Sequence, residues 1–356
     1  MRAAGSSYDA IVVGLGAIGS ATAYHLAKAG ARVLGIDRHH PPHELGSSHG
    51  ETRITRVAVG EGARYVPYVK RSHELWRELE RESGESLMTQ CGMLLIGGHR
   101  PAAFHGADDF LRATIDVARE HDVPHETPTA DEVARRFPQF ALNGDERGFY
   151  FEPAAGFLRP ERAVAAHLRL AREHGAELRF GERVTTVGPG RADDHRAGTV
   201  IVAAGPWIGD LVPGDFAVHR QVQFWFESTE PDLHAGMPIF VWDLGRGDDD
   251  FFYGFPSIDG RVKVASEDHT RPTAADDCAR EVADEEEQAI RSDYLDGRIR
   301  GLGRCVRATP CLYTITPDRH FAIEHGDGLL TVSACSGHGF KHSPALGEEL
   351  AHQVAS

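Results

Sequence analysis

The first forty residues combine two apolar runs with a helical pattern between them. Residues 9–13 read Asp-Ala-Ile-Val-Val, and a short β-branched run of this kind predicts a buried strand. Apolar residues with helical spacing then continue to Gly30, which predicts a helix that ends at this glycine. A second apolar run over 32–36 predicts another buried strand, which leads directly into Asp37. The order is strand, helix, strand and acidic residue.

The same periodicities predict a mixture of helices and strands along the rest of the chain. The predicted helices are 64–81, 107–121, a short one opened by the capping-box pattern Thr129-Ala130-Asp131-Glu132, 160–175 with Pro160 as its first residue, an acidic segment over 276–294, and a closing helix after residue 341. The predicted strands are 92–98, 149–151, 177–180, 199–203 and 328–333, with further strand-rich segments over 218–228 and 250–265. No internal repeat or low-complexity tract interrupts this order.

The turn between the first strand and the first helix reads Gly14-Leu15-Gly16-Ala17-Ile18-Gly19. Gly14 permits a tight turn, Gly16 lets the backbone approach a pyrophosphate at the helix N-terminus, and Gly19 allows close packing of helix on strand. Asp37 can accept hydrogen bonds from a ribose hydroxyl, which favours FAD or NAD over NADP. The sequence therefore predicts a dinucleotide site, and the motif alone does not choose between the two cofactors.

The last part of the chain repeats the features of the first. The strand over 328–333 breaks into Ser336-Gly337-His338-Gly339-Phe340-Lys341, and a helix follows. A first and a last element that both suit a nucleotide-binding sheet indicate a discontinuous domain with the strand-rich middle inserted into it. We expect the glycine turns at 14–19 and 336–339 to contact opposite ends of one long cofactor.

Composition excludes several classes of protein. With 356 residues the chain is long enough for about two domains, and 41% apolar and 26% charged residues are ordinary values for a globular protein. A net charge of −15 makes nucleic acid a poor partner. No run approaches about 18 apolar residues and the N-terminus lacks a signal-peptide core, so we expect no membrane span and a cytoplasmic protein. Five cysteines without CxxC pairing fit a reducing compartment and predict no metal site.

Lysine is rare in this sequence. Only Lys28, Lys70, Lys263 and Lys341 occur among 38 basic residues, and the others are arginine. An ammonium is compact and can shift its pKa, whereas a guanidinium is planar and always charged. A lysine retained against this background indicates a place where an ammonium is needed, although chance retention explains any single one equally well.

Several motifs together resemble the monomeric sarcosine oxidase and N-methyltryptophan oxidase group of FAD-dependent amine oxidases, within the D-amino-acid-oxidase-like superfamily. The matching stretches are spread over nearly the whole chain: GLGAIG with Asp37, PPHELGSSHGETRITR with GEGARYVPYVKRSHELW, FEPAAGFLRPERA, TVIVAAGPWIGDL, YGFPSIDGRVK, CLYTITPD and SGHGFKHSPALGE. The SHGETRxxR block and the paired CxYT and GHGFK blocks are specific, while the glycine turn alone is not.

The resemblance implies an α/β fold. An FAD-binding Rossmann-like domain of the glutathione-reductase type would be formed by 1–85, 148–213 and 307–356. A mixed β-sheet substrate domain, formed by 86–147 and 214–306, would be inserted into it. It also implies a monomer.

The implied reaction oxidises the C–N bond of an N-methyl or other secondary α-amino acid. Hydride leaves the carbon beside the amine for the flavin, water hydrolyses the resulting imine, and O2 becomes H2O2. An N-methyl substrate gives formaldehyde and the primary amino acid. The partners would then be a small secondary amino acid and O2.

The resemblance also assigns residues. It implies that Cys311 carries the flavin through a thioether, whereas the sequence alone equally allows one more buried cysteine. Substrate binding is implied for Arg56, Lys341, Tyr253 and, more weakly, His269. For Arg53 and Arg56 the alternative is a surface salt bridge with Glu51 or Glu61. The catalytic residues implied are Lys263 over the ring for oxygen activation, His49 and Arg53 beside the flavin, and Tyr313 on the substrate side.

The full set of predicted cofactor contacts comes from the motifs and the resemblance together. It comprises Gly14, Gly16, Ala17, Ile18, Gly19, Asp37, Arg38, Ser47, Ser48, His49, Arg53, Val184, Ala204, Gly205, Trp207, Cys311, Gly337, His338, Gly339, Phe340 and Lys341. We expect His338 to shape its glycine loop rather than to titrate. Phe240 and Trp242 are predicted to narrow the substrate pocket.

Three departures from the family pattern stand out. The segment between Lys263 and His269 is longer than the lysine-to-histidine spacing of the family. One interpretation of this difference is that His269 does not reach the substrate. Residues 188–198 predict a trimmed β-ribbon, and the usual C-terminal tail is missing after the closing helix. Three other functions stay open: an oxidase of a cyclic imino acid such as proline or pipecolate, a flavin dehydrogenase with another acceptor, and a non-catalytic FAD-binding redox sensor.

Overall fold

The computed structural model describes residues 8–267, 270–334 and 336–355, so His269 and Cys335 lie outside the described residues. Its strands are β1 (Tyr8–Val13), β2 (Val33–Asp37), β3 (Arg53–Thr55), β4 (Met88–Gln90), β5 (Met93–Gly97), β6 (Gly148–Glu152), β7 (Gly156–Leu158), β8 (Glu177–Phe180), β9 (Val187–Gly188), β10 (Arg191–Ala192), β11 (His195–Val202), β12 (Ala217–Ser228), β13 (Ile239–Asp243), β14 (Phe251–Gly254), β15 (Arg261–Ser266), β16 (Leu302–Ile315), β17 (Ala322–Gly326) and β18 (Leu329–Ser333). Its α-helices are α1 (Ala17–Lys28), α2 (Val66–Ser83), α3 (Phe110–Glu120), α4 (Ala130–Arg136), α5 (Pro160–Glu173), α6 (Pro231–Ala235), α7 (Asp284–Ile290) and α8 (Ser343–Ala355). Short 3₁₀ turns lie at Ala63–Tyr65, Gly205–Asp210 and Phe340–His342, and a π-helical turn at Arg291–Leu295.

The first sheet has the strand order β17-β18-β11-β1-β2-β8. The pairs from β18 to β8 are parallel, and β17 is antiparallel at the edge. Apolar residues of α1, α5 and α8 pack against one face of this sheet, in a core that includes Leu26, Leu168 and Leu350. The predicted βαβ unit at the N-terminus is confirmed, and its strands are buried as the β-branched runs predict.

The second sheet has the order β16-β12-β15-β14-β13-β5-β6 and is mostly antiparallel. Its aromatic core includes Phe240, Trp242 and Phe252. A third sheet, β3-β7-β4, is small and joins the segment after residue 50 to the chain before α5. The α/β class with a mixed second sheet is therefore confirmed.

Two parts of the helix and strand prediction were wrong. The acidic segment over 276–294 is helical only from Asp284, because the carbonyls of Ala279 and Glu281 accept hydrogen bonds from Arg220 and Glu286 caps the amide of Ala283. The pattern also missed most of β16. Pro310 lies within this strand, and proline is tolerated there because β16 is an edge strand of its sheet.

The β-ribbon over 187–195 is short, as the few residues in the segment 188–198 predict. Strands β9 and β10 have two residues each, and β10 pairs with the start of β11. None of the helices in the described ranges combines the length and the apolar character that a bilayer-spanning segment requires.

Candidate active site

The turn between β1 and α1 requires glycine at two positions. Gly14 has φ +85°, and a Cβ there would lie 2.6 Å from the carbonyl oxygen of Ala203. A Cβ on Gly19 would lie 1.8 Å from the carbonyl oxygen of Gly14, so helix and turn are in direct backbone contact. This packing brings the N-terminus of α1, with its exposed amides and partial positive charge, to the end of β1.

Polar side chains fix the backbone around this helix N-terminus. Asp37 accepts from the amides of Leu15 (2.7 Å) and His39 (2.7 Å), so the carboxylate sits against the turn at the end of β2. Ser48 Oγ accepts from the amide of Ala17 at 3.1 Å. Each carboxylate oxygen keeps a further lone pair, which a ribose hydroxyl can use.

A cavity of about 250 Å³ begins at this turn. It runs from Asp37, Arg38 and Trp207 to Arg53 and Tyr313, so it is long enough to take an extended ligand. Sixteen of the predicted cofactor residues line it: Gly14, Gly16, Ala17, Ile18, Asp37, Arg38, Ser47, Ser48, Arg53, Val184, Ala204, Gly205, Trp207, Gly337, Gly339 and Phe340. Both predicted glycine segments therefore border one cavity.

Five predicted cofactor residues do not line this cavity. Gly19 packs behind the turn, and Lys341 and His338 line a second cavity instead. His49 is fully buried and neither ring nitrogen has a protein partner. Burial, with help from Arg53 and Lys263, lowers the pKa of His49 to about 3, so the ring is neutral.

Cys311 lies on β16 beside the inner end of the long cavity. Its thiol is fully buried, and Sγ lies 3.7 Å from the carbonyl oxygen of Ser47 and 3.4 Å from Nη2 of Arg53. Leu312, the next residue, lines the cavity and accepts a hydrogen bond from Ser47 Oγ at 2.6 Å. The thiol is thus next to the cavity wall and close to a permanent positive charge.

A second cavity of about 60 Å³ adjoins the first. Arg53, Tyr313, Gly337 and Phe340 line both cavities and form their shared wall. The remaining lining of the second cavity is partly apolar, from Ile54, Phe104, Val241 and Phe255, and partly charged. A ligand in this cavity is therefore placed directly against the inner end of the long cavity.

Two cations and one carboxylate form a buried cluster in the second cavity. Arg56 Nη2 lies 2.7 Å from Glu61, and Lys341 Nζ lies 3.4 Å from the same carboxylate. Burial would raise the pKa of Glu61, but Arg56 and Lys341 hold it well below its usual range. Burial lowers the pKa of Lys341 to about 8. The alternative of a surface pair for Arg56 was wrong, because the Arg56–Glu61 pair is buried.

Two tyrosines also line the same cavity. The hydroxyls of Tyr253 and Tyr313 are 3.2 Å apart. Burial raises the pKa of Tyr253 to about 12 and that of Tyr313 well above its usual value, so both are neutral hydrogen-bonding groups. Tyr253 borders the pocket as the sequence predicts.

Lys263 is buried but lines neither cavity. Its ammonium donates to the carbonyls of Gly50 (2.6 Å) and Thr52 (3.0 Å) and to the Thr52 hydroxyl (3.2 Å). Nζ also lies 4.8 Å from the ring centre of Phe255. Burial and the nearby Arg53 lower its pKa well below the usual value. The amine therefore lies against the segment that leads into β3.

Three further residues singled out in the sequence are His338, Phe240 and Trp242. His338 is buried, its Nε2 contacts the carbonyl of Arg319 at 3.2 Å, and burial lowers its pKa to about 3. Phe240 and Trp242 do not narrow the pocket, which is a correction, because strand alternation turns them into the core and Val241 toward the cavity.

The sequence did not single out Glu267 and His105, which line the second cavity. They are isolated polar residues in no motif, so no sequence signal marked them. The unusual distance between Lys263 and His269 was the one irregularity near Glu267.

Comparison with known proteins identifies the family of the chain. A family model described as "FAD dependent oxidoreductase" matches residues 9–353. The chain belongs to this family. It is therefore a flavoenzyme that uses FAD, which the long cavity fits through its glycine-lined helix N-terminus and its carboxylate at the end of β2.

Relatives within the FAD-dependent oxidoreductases are similar over nearly the full length. Monomeric sarcosine oxidase from Streptomyces avermitilis is 39% identical, over 97% of this chain and 93% of that protein. N-methyl-L-tryptophan oxidase from Yersinia pestis is 32% identical, over 97% and 94%. The resemblance seen in the motifs is thus confirmed.

Solved structures share the fold. NikD, described as an unusual amino acid oxidase essential for nikkomycin biosynthesis, aligns with a TM-score of 0.85 at 24% identity, over 99% of this chain and 94% of that chain. L-proline dehydrogenase from P. horikoshii aligns with a TM-score of 0.81 at 21% identity, over 98% and 93%. At these identities the structures support the fold alone.

Proposed function

We propose that the protein oxidises the C–N bond of a small N-methyl or other secondary α-amino acid and passes the electrons to O2. The observation that carries this proposal is the buried Arg56–Glu61–Lys341 cluster in a cavity that shares a wall with the FAD cavity. Two cations against one carboxylate leave one positive charge for the acid group of an amino acid. The names of the relatives point to the same substrate class.

FAD, when bound, supplies the acceptor for the hydride and its two electrons. Arg56 and Lys341 hold the substrate carboxylate, which fixes the carbon beside the amine toward the shared wall. The apolar lining from Ile54, Val241 and Phe255 excludes water from this side. Water then hydrolyses the imine, which gives formaldehyde from an N-methyl substrate, and O2 becomes H2O2.

Lys263, Arg53 and His49 set the electrostatics at the inner end of the FAD cavity. Arg53 lines the cavity and Lys263 lies behind it, so the two buried positive charges favour the negative charge that develops as electrons arrive. The neutral His49 offers one ring N–H donor and one acceptor to a polar group beside it.

Cys311 is proposed to carry the flavin through a thioether. Its thiol adjoins the cavity wall, and Sγ lies 3.4 Å from Nη2 of Arg53 and 3.7 Å from the carbonyl oxygen of Ser47. The S–H bond is replaced by an S–C bond to a ring methyl carbon. The two electrons and two protons released are taken up by O2 as H2O2.

The oxidase is also proposed to be a cytoplasmic monomer. Its cofactor domain would comprise 1–85, 148–213 and 307–356, and its substrate domain 86–147 and 214–306.

An anaerobic titration with sarcosine, N-methyltryptophan, proline and pipecolate tests the proposed reaction. We expect sarcosine to bleach the yellow flavin and N-methyltryptophan to do so poorly, because the second cavity is only about 60 Å³. On admission of air, one H2O2 per substrate consumed is expected.

Other outcomes point to the alternative functions. Bleaching by proline or pipecolate alone would identify a cyclic imino acid oxidase. Bleaching without H2O2 would identify a dehydrogenase, and no bleaching by any of the four would leave a redox sensor.

A further inference from the structure

The second cavity contains a further carboxylate besides the one in its cationic cluster. Glu267 lines the cavity directly after the end of β15, and its amide donates to the carbonyl of Phe251 at 3.3 Å. His105 Nε2 lies 3.3 Å from Glu267 Oε1, and each side chain is 4% exposed. A buried carboxylate with a histidine beside it is therefore part of the cavity that the proposed reaction uses.

Gly337 places this carboxylate at the shared wall of the two cavities. A Cβ on Gly337 would lie 2.7 Å from Cε1 of His105, 2.9 Å from Cε2 of Tyr313 and 3.4 Å from Oε1 of Glu267. Gly337 also has φ +84°, which disfavours any other residue. The glycine thus leaves the room that lets both side chains of the pair approach the wall where Tyr313 lies.

The connectivity of an α-amino acid then fixes where its nitrogen goes. Arg56 and Lys341 take the carboxylate, so the carbon that loses hydride must point toward the shared wall. The nitrogen is bonded directly to that carbon and lies near the same wall. At neutral pH it arrives as an ammonium, which needs an acceptor when it leaves water.

The charged residues that line the second cavity match this orientation of the substrate. Arg56 and Lys341 exceed Glu61 by one positive charge. Glu267 adds a separate carboxylate beside His105 and near Gly337 at the shared wall. A net positive cluster together with a separate carboxylate complements a zwitterion, whereas an acid without a cationic nitrogen would meet an attractive cluster and a repulsive carboxylate.

We propose that Glu267, oriented by His105, accepts hydrogen bonds from the substrate ammonium and makes the site selective for zwitterionic α-amino acids over acids without a cationic nitrogen. The inference rests on the proposed function for the position of the substrate carboxylate. Glu267 is in this view a specificity-determining residue, and His105 is a positioning residue.

The test compares sarcosine with (methylthio)acetate, in which sulfur replaces the ammonium, on the flavin-loaded enzyme without O2. In Glu267→Gln we expect the Kd of sarcosine, taken from the concentration dependence of the rate of flavin reduction, to rise at least tenfold. The Kd of (methylthio)acetate is expected to stay the same or fall, because a negative charge has been removed. Glu324→Gln, an exposed carboxylate on β17, is the matched control and should change neither value.

Two results would overturn the proposal: equal weakening of both ligands in Glu267→Gln, which indicates a structural role, or no change in either. If this variant does not load flavin, Glu267→Asp keeps the charge but shortens the side chain. It should weaken sarcosine at least threefold without weakening (methylthio)acetate, and an unchanged sarcosine Kd in this variant would equally contradict the proposal.

The outcome is independent of whether oxidation occurs. If sarcosine leaves the wild-type flavin oxidised, the proposed reaction fails, but binding is still read from the change in the visible spectrum of the flavin. Selective loss of sarcosine in Glu267→Gln would then support the ammonium site in a protein of another activity.

Discussion

Three buried cations of the site have different surroundings and therefore different roles. Arg56 and Lys341 share one carboxylate, Glu61, and line the second cavity. Lys263 instead gives its hydrogen bonds to Gly50 and Thr52 and lines neither cavity. In the proposed reaction its ammonium would act on the flavin through its electric field, which is strong where water is excluded.

Replacing Lys263 by methionine should therefore separate the two half-reactions. We expect anaerobic reduction by sarcosine to change less than about threefold, while reoxidation by O2 slows by roughly 10²-fold, since a preorganised charge is lost where negative charge develops. Stopped-flow absorbance of the flavin measures both rates. Lys70→Met removes an exposed lysine on α2 and is the control.

An equal loss in both half-reactions of Lys263→Met would contradict the assigned role. It would mean that the ammonium matters only as an anchor for the segment over Gly50–Thr52.

The residues found from the sequence share a property. Arg56, Cys311 and Lys341 lie in specific blocks, so their types and spacing carried the information. Glu267 and His105 meet Gly337 from separate parts of the chain, and only tertiary packing brings them together. A single sequence holds no local signal for such a pair.

At the scale of elements, hydrophobic periodicity predicted the helices and strands that have one clearly buried face or are buried on both faces. The βαβ unit and the capping-box helix α4 follow from local residues, and the structure has both. Strand β16 carries Arg304, Arg307 and Pro310 and has no clean alternation, because it lies at a sheet edge. Edge strands depend on their neighbour, which the sequence pattern does not show.

The contact between α1 and the turn before it predicts a strong effect of Gly19→Ala. The new Cβ would overlap the carbonyl oxygen of Gly14 at 1.8 Å, and the next nearest atom, the carbonyl carbon of Gly14 at 2.9 Å, is also backbone, so no side-chain movement relieves the clash. We expect a loss of about 3 kcal/mol or more in the free energy of unfolding, with weaker FAD retention. Urea unfolding and the flavin content of the purified protein measure these effects.

Gly236→Ala is the matched control, because its Cβ would meet nothing within 4 Å and its φ is −93°. If Gly19→Ala were as stable and as yellow as this control, the turn would not be the tight backbone contact described.

On the scale of the whole molecule, the FAD cavity lies between two sheets. The first sheet contributes the turn after β1 and the ends of β2 and β18, and the second contributes Leu312, Tyr313 and Thr314 of β16. A ligand that contacts both sheets stabilises the folded chain by linkage. The division of the chain into two domains at the stated boundaries stays a prediction.

The prediction at the scale of the whole molecule concerns Cys311 on β16. After acid precipitation, wild-type protein should keep its yellow colour in the pellet, whereas Cys311→Ser should release FAD into the supernatant. Stripped Cys311→Ser should also have a lower Tm that rises with added FAD, because ligand at 100 times the Kd stabilises the folded chain by about 2.7 kcal/mol. Absorbance and calorimetry read the two effects.

Cys305→Ser changes another cysteine of the same strand and is the control. Release of the flavin from wild-type protein by acid would contradict the covalent link. A Tm of Cys311→Ser that does not respond to FAD would contradict the role of the cofactor in joining the two sheets.

Strand β16 carries Cys311 and Tyr313 two positions apart, so both face the same side of the strand. A flavin tethered at Cys311 would be fastened to the sheet that bears the tyrosine pair, although its nucleotide half rests on the other sheet. Any change in the distance between the two sheets would then stretch the cofactor along its length. The spacing between the ring and the tyrosine pair would be preserved throughout.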